Sequence, residues 1–252
     1  MWVTRRSYPG EVYGVPACVR LTERLVNSMA DSVPESRTAI LDAAEVRFAR
    51  AGFDATTIKE IAADARVNSA LLYYYFADKE ALYGAVVSRF IERIATEMAR
   101  TFVGDEAPAA RVAGFAMRQG RMFESEPRFR KLLGRELIDF DARHAQAAIR
   151  RLAATTFERL HATIAEGQRA GVFRQDLDPR FAAISLVGQT AYFHFARPAV
   201  EILLADGKPL PAGTSDAFSA HVAQFTLAAL APVEADASLP IARRRNAARR
   251  KS

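Results

Sequence analysis

Residues 56–82 read T-T-I-K-E-I-A-A-D-A-R-V-N-S-A-L-L-Y-Y-Y-F-A-D-K-E-A-L, and the spacing within this stretch decides the fold. Ile58, Ile61, Ala62 and Ala65 recur at i, i+3, i+4 and i+7, the pattern of a short helix with one buried face. Thr57 and Glu60 have the spacing of a capping box, in which the hydroxyl accepts from a backbone N–H while the glutamate reaches back to the cap. A break at 66–68, with Val67 turned inward, separates this helix from a second one whose apolar stripe is Leu72 and Phe76. Two short helices joined by a tight turn make a helix-turn-helix.

Such a unit lays its second helix in the DNA major groove while the first braces it against the backbone. With Leu72 and Phe76 inward, Asn68, Ser69, Leu71, Tyr73 and Tyr74 are more available to the outside. The polar ones can bond to base edges or phosphates, and Leu71 can touch a thymine methyl. The next helix opens with Asp78, Lys79 and Glu80, and its unpaired N–H groups together with Lys79 form a phosphate anchor. Of the three tyrosines, Tyr73 is expected in the core of the small three-helix unit, whereas helical phase turns Tyr74 away from Leu72 and Phe76 and toward DNA. Thr57 can cap its helix and contact DNA at once.

The whole 56–82 run resembles the DNA-binding signature of the TetR family of transcriptional regulators. The preceding I-L-D-A-A-E-V-R-F-A-R-A-G-F from Ile40 is similar to that family's first helix, so the resemblance covers about residues 36–90. It implies a two-domain, all-helical homodimer that binds a palindromic operator in double-stranded DNA, usually as a repressor released by a small-molecule effector. It also implies phosphate contacts from Thr57, Tyr74 and Lys79, with Asn68, Ser69, Ala70 and Leu71 near the bases. Two departures stand out. Arg66 occupies a turn position where the family commonly has glycine, and holding it at positive φ costs roughly 1–2 kcal/mol; either the turn differs locally or Arg66 supplies a phosphate contact. Ala70 and Leu71 replace the more usual Gly-Thr pair, so an operator sequence does not carry over from a relative.

From Pro34 onward the periodicity is helical almost throughout, which makes the chain all-α. Helices are expected over about 35–50, 58–65, 69–76 and 79–102, then 108–123, 127–140, 142–170, 179–204 and 216–230. Pro108, Pro127 and Pro179 suit helix starts, while Pro198 should kink or end its helix, and Ser215 or Asp216 should cap the last one. The expected organisation is an N-terminal extension over 1–33, a helix-turn-helix domain over 34–80, a helical ligand-binding and dimerisation domain over 81–232, and a basic tail over 233–252. Met29 offers a second natural start, so residues 1–28 are expected to be an upstream extension or a dispensable arm.

The formal charge of +6 looks like a nucleic-acid signature, yet six basic residues (Arg243, Arg244, Arg245, Arg249, Arg250, Lys251) lie in the last ten positions, and without them positive and negative charges are equal. Residues 34–80 are slightly acidic, so DNA binding there must come from a few placed contacts and helix N-termini. The single cysteine, Cys18, forms no internal disulfide and points to a reducing, cytoplasmic setting. The longest uncharged stretches, 181–196 and 217–233, are too short for a comfortable membrane span, and no membrane partner is expected. His144, His161, His194 and His221 lack close metal-ligand spacing, and no Walker A or dinucleotide fingerprint is present, so neither a metal, a cofactor nor an enzymatic activity is expected. A basic-tailed architectural DNA binder without effector and, more distantly, a helical enzyme are the competing readings.

The second half is less specific. Residues 171–204 are similar to the C-terminal domain of CecR-type TetR regulators. An apolar helix interrupted by Gln189, Tyr192 and His194 offers a few polar groups in an apolar setting, as small-ligand pockets do; Phe115, Met122, Phe123, Phe129 and His161 are candidates to complete it. At each position ordinary core packing is the alternative. Gln189 and His194, or the helix carrying Phe218, Val222, Phe225 and Ala229, are alternatively candidates for the dimer seam.

Overall fold

The computed structural model describes residues 35–232, and all regular structure among them is helical. The expectations for the N-terminal extension, for Met29 and for the basic tail lie outside the described residues. Helix α1 covers 35–51, followed by α2 (Ile58–Asp64), α3 (Ser69–Tyr75) and α4 (Lys79–Ala99), which ends in a 3₁₀ turn, Arg100–Phe102. Then come α5 (Pro108–Ser125), α6 (Pro127–Asp139), α7 (Gln146–Leu152), α8 (Glu158–Arg169), α9 (Pro179–Phe195), α10 (Arg197–Ala205) and α11 (Thr214–Leu230). Pro108, Pro127 and Pro179 each open their helices, where a missing N–H leaves nothing unpaired.

The differences from the sequence expectation have local causes. The single helix expected over 142–170 begins at Gln146 and passes through a π turn, Ala153–Phe157, between α7 and α8. Before it, Asp141 and Ala142 adopt left-handed φ of 48° and 59°. The break expected at Pro198 within 179–204 is present and falls at Ala196: Pro198 has no N–H to donate to the preceding turn and is instead taken up in the first turn of α10. Neither Ser215 nor Asp216 caps α11. Gly213, at φ 83°, makes the turn, and the Ser215 hydroxyl is drawn inward to donate to the Glu124 carboxylate at 2.6 Å.

Ile40, Ala44 and Phe48 of α1, Ile61 and Ala62 of α2, and Leu72 of α3 are buried together against the first half of α4, with Tyr83 edge-on to Phe48. Farther along the same helix, Phe90 meets Phe129 of α6, and Ile91, Ile94 and Met98 face the second half of the chain. There α5 packs most extensively on α11, with α8 and α9 alongside. Close approach of α5 and α11 depends on Gly120, where an added Cβ would run into the Ser219 hydroxyl and stand 3.0 Å from its Cβ. That hydroxyl is already held by the Ser215 carbonyl at 2.8 Å.

Two charged groups tie the halves together. Glu136 of α6 is fully buried, and its carboxylate accepts from the backbone N–H groups of His144 (2.7 Å) and Ala145 (3.0 Å) and lies 3.0 Å from His144 Nδ1. The other ring nitrogen of His144 is 2.9 Å from Glu80 at the start of α4. Glu45 of α1 is 2.8 Å from Arg89 and 3.4 Å from Arg93 on α4, and 3.6 Å from Arg128 of α6.

His194 is buried near the small cluster of Phe193, Val200 and Leu210; neither ring nitrogen has a hydrogen-bond partner, and Nδ1 stands 3.8 Å from the Glu124 carboxylate. Burial, reinforced by nearby Arg130, pushes its pKa down to about 4. The unfolded chain therefore takes up a proton near pH 6.5 that the folded one refuses, so this group removes stability as pH falls from 6.5 toward 4. In acid denaturation series, wild type should lose roughly 2–3 kcal/mol over that window from His194 alone, and His194→Leu should abolish that part of the slope; superimposable slopes would contradict the assignment. Gly120→Ala should lower stability by about 1–3 kcal/mol through overpacking, against the gain of roughly 0.5–1 kcal/mol that alanine brings to a helix interior. Adding Ser219→Ala should recover most of the loss in thermal melts, since it removes the clashing hydroxyl.

Candidate nucleic-acid interface and interior cavity

The turn that presents α3 is built from backbone bonds and two caps. Thr57 completes the expected capping box on α2: its hydroxyl accepts from Glu60 N–H at 3.2 Å, and Glu60 accepts from Thr57 N–H at 2.9 Å and from its hydroxyl at 2.8 Å. After α2 the chain reverses with Arg66 at φ 56°, and Val67 N–H donates to the Ala62 carbonyl at 3.0 Å. The left-handed turn is therefore kept with arginine in it, at a cost of roughly 1–2 kcal/mol, and the Arg66 side chain stays exposed. Asn68 caps α3, its Oδ1 accepting from Ala70 N–H (2.5 Å) and Leu71 N–H (3.3 Å). Asp78 caps α4 through Ala81 N–H at 2.7 Å, which occupies one of the amides expected to await a phosphate.

On α3, Leu72 and Phe76 are buried as expected, and Ala70, Tyr73 and Tyr74 form the exposed face, with Ser69 and Leu71 at its borders. Tyr73 is thus a correction: it is 55% exposed, beside Tyr74 at 77%, and Tyr75 takes the packed position against the core. The i, i+3, i+4 relation of Ala70, Tyr73 and Tyr74 was the available signal. Lys79 differs from a free anchor. Its ammonium donates to the carbonyls of Phe53 (3.0 Å) and Thr56 (3.2 Å) and sits 4.3 Å over the Phe53 ring. Two of its three donors hold the loop that carries Thr57, because those carbonyls follow the end of α1 and have no helical partner.

The acidic residues of α2 are neutralised from α1. Arg47 grips Asp64 with two bonds, 2.6 and 2.9 Å, and reaches Glu60 at 3.2 Å. The Arg47 hydrogen bond holds the Asp64 carboxyl below its ordinary pKa, and Glu60 is held down first by the Thr57 hydroxyl.

A cavity of about 460 Å³ lies in the second half, walled by Ile91, Ile94 and Met98 of α4, Phe115, Gln119, Met122 and Phe123 of α5, Phe129, Leu133 and Leu137 of α6, the π turn, and Ile184, Val187, Ala191 and Phe195 of α9. Its wall includes no charged side chain. Of the residues singled out in the sequence, Phe115, Met122, Phe123 and Phe129 line it, and His161, Gln189, Tyr192 and His194 do not. On α9, residues 184, 187, 191 and 195 turn to the cavity, which leaves Gln189 on an outer groove with Phe181 and Phe225 and Tyr192 61% exposed. His194 stands behind Phe123, ring centres 5.3 Å apart. His161 faces Glu158 on α8 at 3.4 Å. The polar groups that do line the cavity are Gln119 and Thr156. Gln119 was legible, one helical turn after Phe115 and before Phe123; Thr156 was not, because it lies in a π turn that breaks the helical period.

Residues 40–86 match the family described as bacterial regulatory proteins, tetR family, and residues 108–224 match the tetracyclin repressor-like C-terminal domain. The latter match carries no indication of the CecR type expected from residues 171–204. An HTH-type transcriptional repressor of Mycobacterium tuberculosis (strain ATCC 25618 / H37Rv) is 38% identical over 88 residues, 35% of this chain and 44% of the relative. RutR of Escherichia coli (strain K12) is 32% identical over 107 residues, 42% of this chain and 50% of the relative. The chain thus spans half or less of the curated relatives' length. Among solved structures, SmeT, the repressor of the Stenotrophomonas maltophilia multidrug efflux pump SmeDEF, superposes with a TM-score of 0.59 at 25% identity, over 78% of this chain and 90% of SmeT. FadR of Bacillus subtilis, solved with stearoyl-CoA, gives 0.62 at 18% identity over 77% and 98%, a likeness of fold. With both halves matched, and the two matches together covering well over half of its length, the chain belongs to the TetR family of bacterial regulatory proteins.

Proposed function

We propose that this protein is a cytoplasmic transcriptional repressor that binds a palindromic DNA operator as a homodimer and is released when a small, largely apolar molecule enters the interior cavity. The observation that carries the reading is α4, whose first turn follows the exposed face of α3 and whose Ile91, Ile94 and Met98 form part of the cavity wall. A ligand that binds one arrangement of this helix better than another shifts the recognition helices by that difference in affinity. We divide the chain accordingly into a DNA-binding domain over 34–80 and a ligand-binding and dimerisation domain over 81–232. The exposed apolar residues Phe181 of α9 and Phe225 of α11, which share an outer groove, suit the two-fold seam.

In this reading Ala70, Leu71 and Tyr73 face the bases, with Asn68 and Ser69 at the helix start. Tyr74, Arg66 and Thr57 contact phosphates, and Lys79 chiefly holds the Thr57 loop in place while keeping one donor for the backbone. An architectural DNA binder lacks a specificity ratio between operator and random DNA, and a helical enzyme would show turnover that depends on the cavity; the recognition face and the charge-free cavity wall favour neither.

After the operator is selected from random DNA, Tyr74→Phe and Arg66→Ala should weaken binding alike on operator and random sequences, and Arg66→Ala should lower the salt slope by about 1. Leu71→Ala and Tyr73→Ala should alter base preference, at about 1–3 kcal/mol per affected position. Equal loss on every sequence from the second pair would refute their placement at the bases. Asn68→Asp, which keeps the cap, separates a base contact from the roughly 1 kcal/mol that loss of capping alone would cost.

A further inference from the structure

We propose that the cavity is built for an uncharged ligand: a predominantly hydrocarbon molecule bearing a hydroxyl or amide group that hydrogen-bonds to the Gln119 amide oxygen and the Thr156 hydroxyl. The inference rests on the reading of this cavity as the effector site and specifies the chemistry of its occupant.

Gln119 and Thr156 are 6% and 4% exposed, and both line the cavity. Gln119 Oε1 and Thr156 Oγ1 have no hydrogen-bond partner, although buried polar atoms are nearly always paired. Two nearby threonines show the ordinary solution: Thr155, in the same π turn, donates back to the Arg151 carbonyl at 2.8 Å, and Thr163 of α8 donates to the Arg159 carbonyl at 2.8 Å. Thr156 makes no such bond. It lies within the π turn, as do its fellow wall residues Ala153 and Phe157. Such turns are rare and recur at functional sites. Thr156 and Gln119 are the two polar side chains in a wall that is apolar elsewhere.

The same wall argues against an ionised ligand. None of its residues is charged, and a carboxylate or ammonium brought into it would lose its hydration with no counter-ion in reach. Arg93, Arg118 and Arg121 line a separate surface groove that shares only Ile94 and Met122 with the cavity, and two of them are engaged, Arg93 with Glu45 and Arg118 with Glu97. A ligand donor satisfies Gln119 Oε1, while the Thr156 hydroxyl can donate or accept. A hydroxyl or amide meets both requirements with no net charge.

The test is competition against a fluorescent apolar probe, 1-aminoanthracene, on the full-length protein at pH 8, with 1-decanol, decanoate, decane and decanoyl-CoA as competitors. The inference expects 1-decanol to displace the probe at least tenfold more strongly than decanoate or decane. In the double variant Gln119→Leu, Thr156→Val that preference for the alcohol over decane should vanish while probe affinity is retained, which also reports that the variant is folded. Thr156→Val alone, nearly isosteric, should remove part of it. Displacement by decanoate or decanoyl-CoA as strong as by 1-decanol, or an unchanged alcohol preference in the variants, overturns the inference and leaves an effector site of different chemistry. If 1-aminoanthracene and all four competitors fail to bind, the effector half of the proposed function falls with it, whereas operator binding, measured separately without ligand, decides the DNA-binding half.

Discussion

A carboxylate sealed from water has to be met by donors, and the way Glu136 is met organises the junction between the two halves of the protein. Its oxygens gather the backbone N–H groups of His144 and Ala145 and the His144 ring, and the far side of that ring meets Glu80 one turn after the recognition helix. The left-handed pair Asp141 and Ala142 makes this possible by folding the chain after α6 back over its own carboxylate, with Ala142 N–H bonded to the Glu136 carbonyl at 2.9 Å. Removing the carboxylate would leave several buried donors unpaired at once, a larger penalty than the loss of any one bond. The rings of Phe53, Tyr83 and Phe140 surround His144 and keep water from substituting.

Helix α6 therefore serves two neighbours. One side carries Phe129, Leu133 and Leu137 into the cavity wall. Another holds the N-terminal unit, through Glu136 and through Arg135, whose guanidinium donates to the Phe48 carbonyl at 2.9 Å at the end of α1. Helix α4 is shared in the same way, and Glu45 binds arginines from both α4 and α6. Both helices thus belong at once to the cavity wall and to the packing of the N-terminal unit.

The charge pattern reads differently once the contacts are known. Half of the acidic side chains within residues 34–80 are paired with arginines of α1 and α4: Asp64 and Glu60 with Arg47, and Glu45 and Asp42 with Arg89. Arg66 and Lys59 remain exposed. A sum of charges could not reveal this, because it says nothing of which side chains meet.

Much of the fold was legible in the chain. Helix starts at Pro108, Pro127 and Pro179, the capping box at Thr57, the burial of Leu72 and Phe76 and the break near Pro198 all follow from interactions within a few residues, which local spacing encodes. The cavity was legible in part: Phe115, Met122, Phe123 and Phe129 are apolar at helical spacing, and any packing of these helices buries them. Polarity misled on α9, where Gln189, Tyr192 and His194 stood out in sequence yet point elsewhere, since the rotation of that helix about its axis is set by α5 and α11 packing on it. The capture of Lys79 by the Phe53 and Thr56 carbonyls and the enclosure of Glu136 and His144 depend on groups far apart in the chain. Sequence alone determined most of the helical segments and the position of the helix-turn-helix, because both rest on short-range periodicity and capping. Tertiary packing decided which polar groups face the cavity and which charges are already paired, because those depend on where distant helices come to rest.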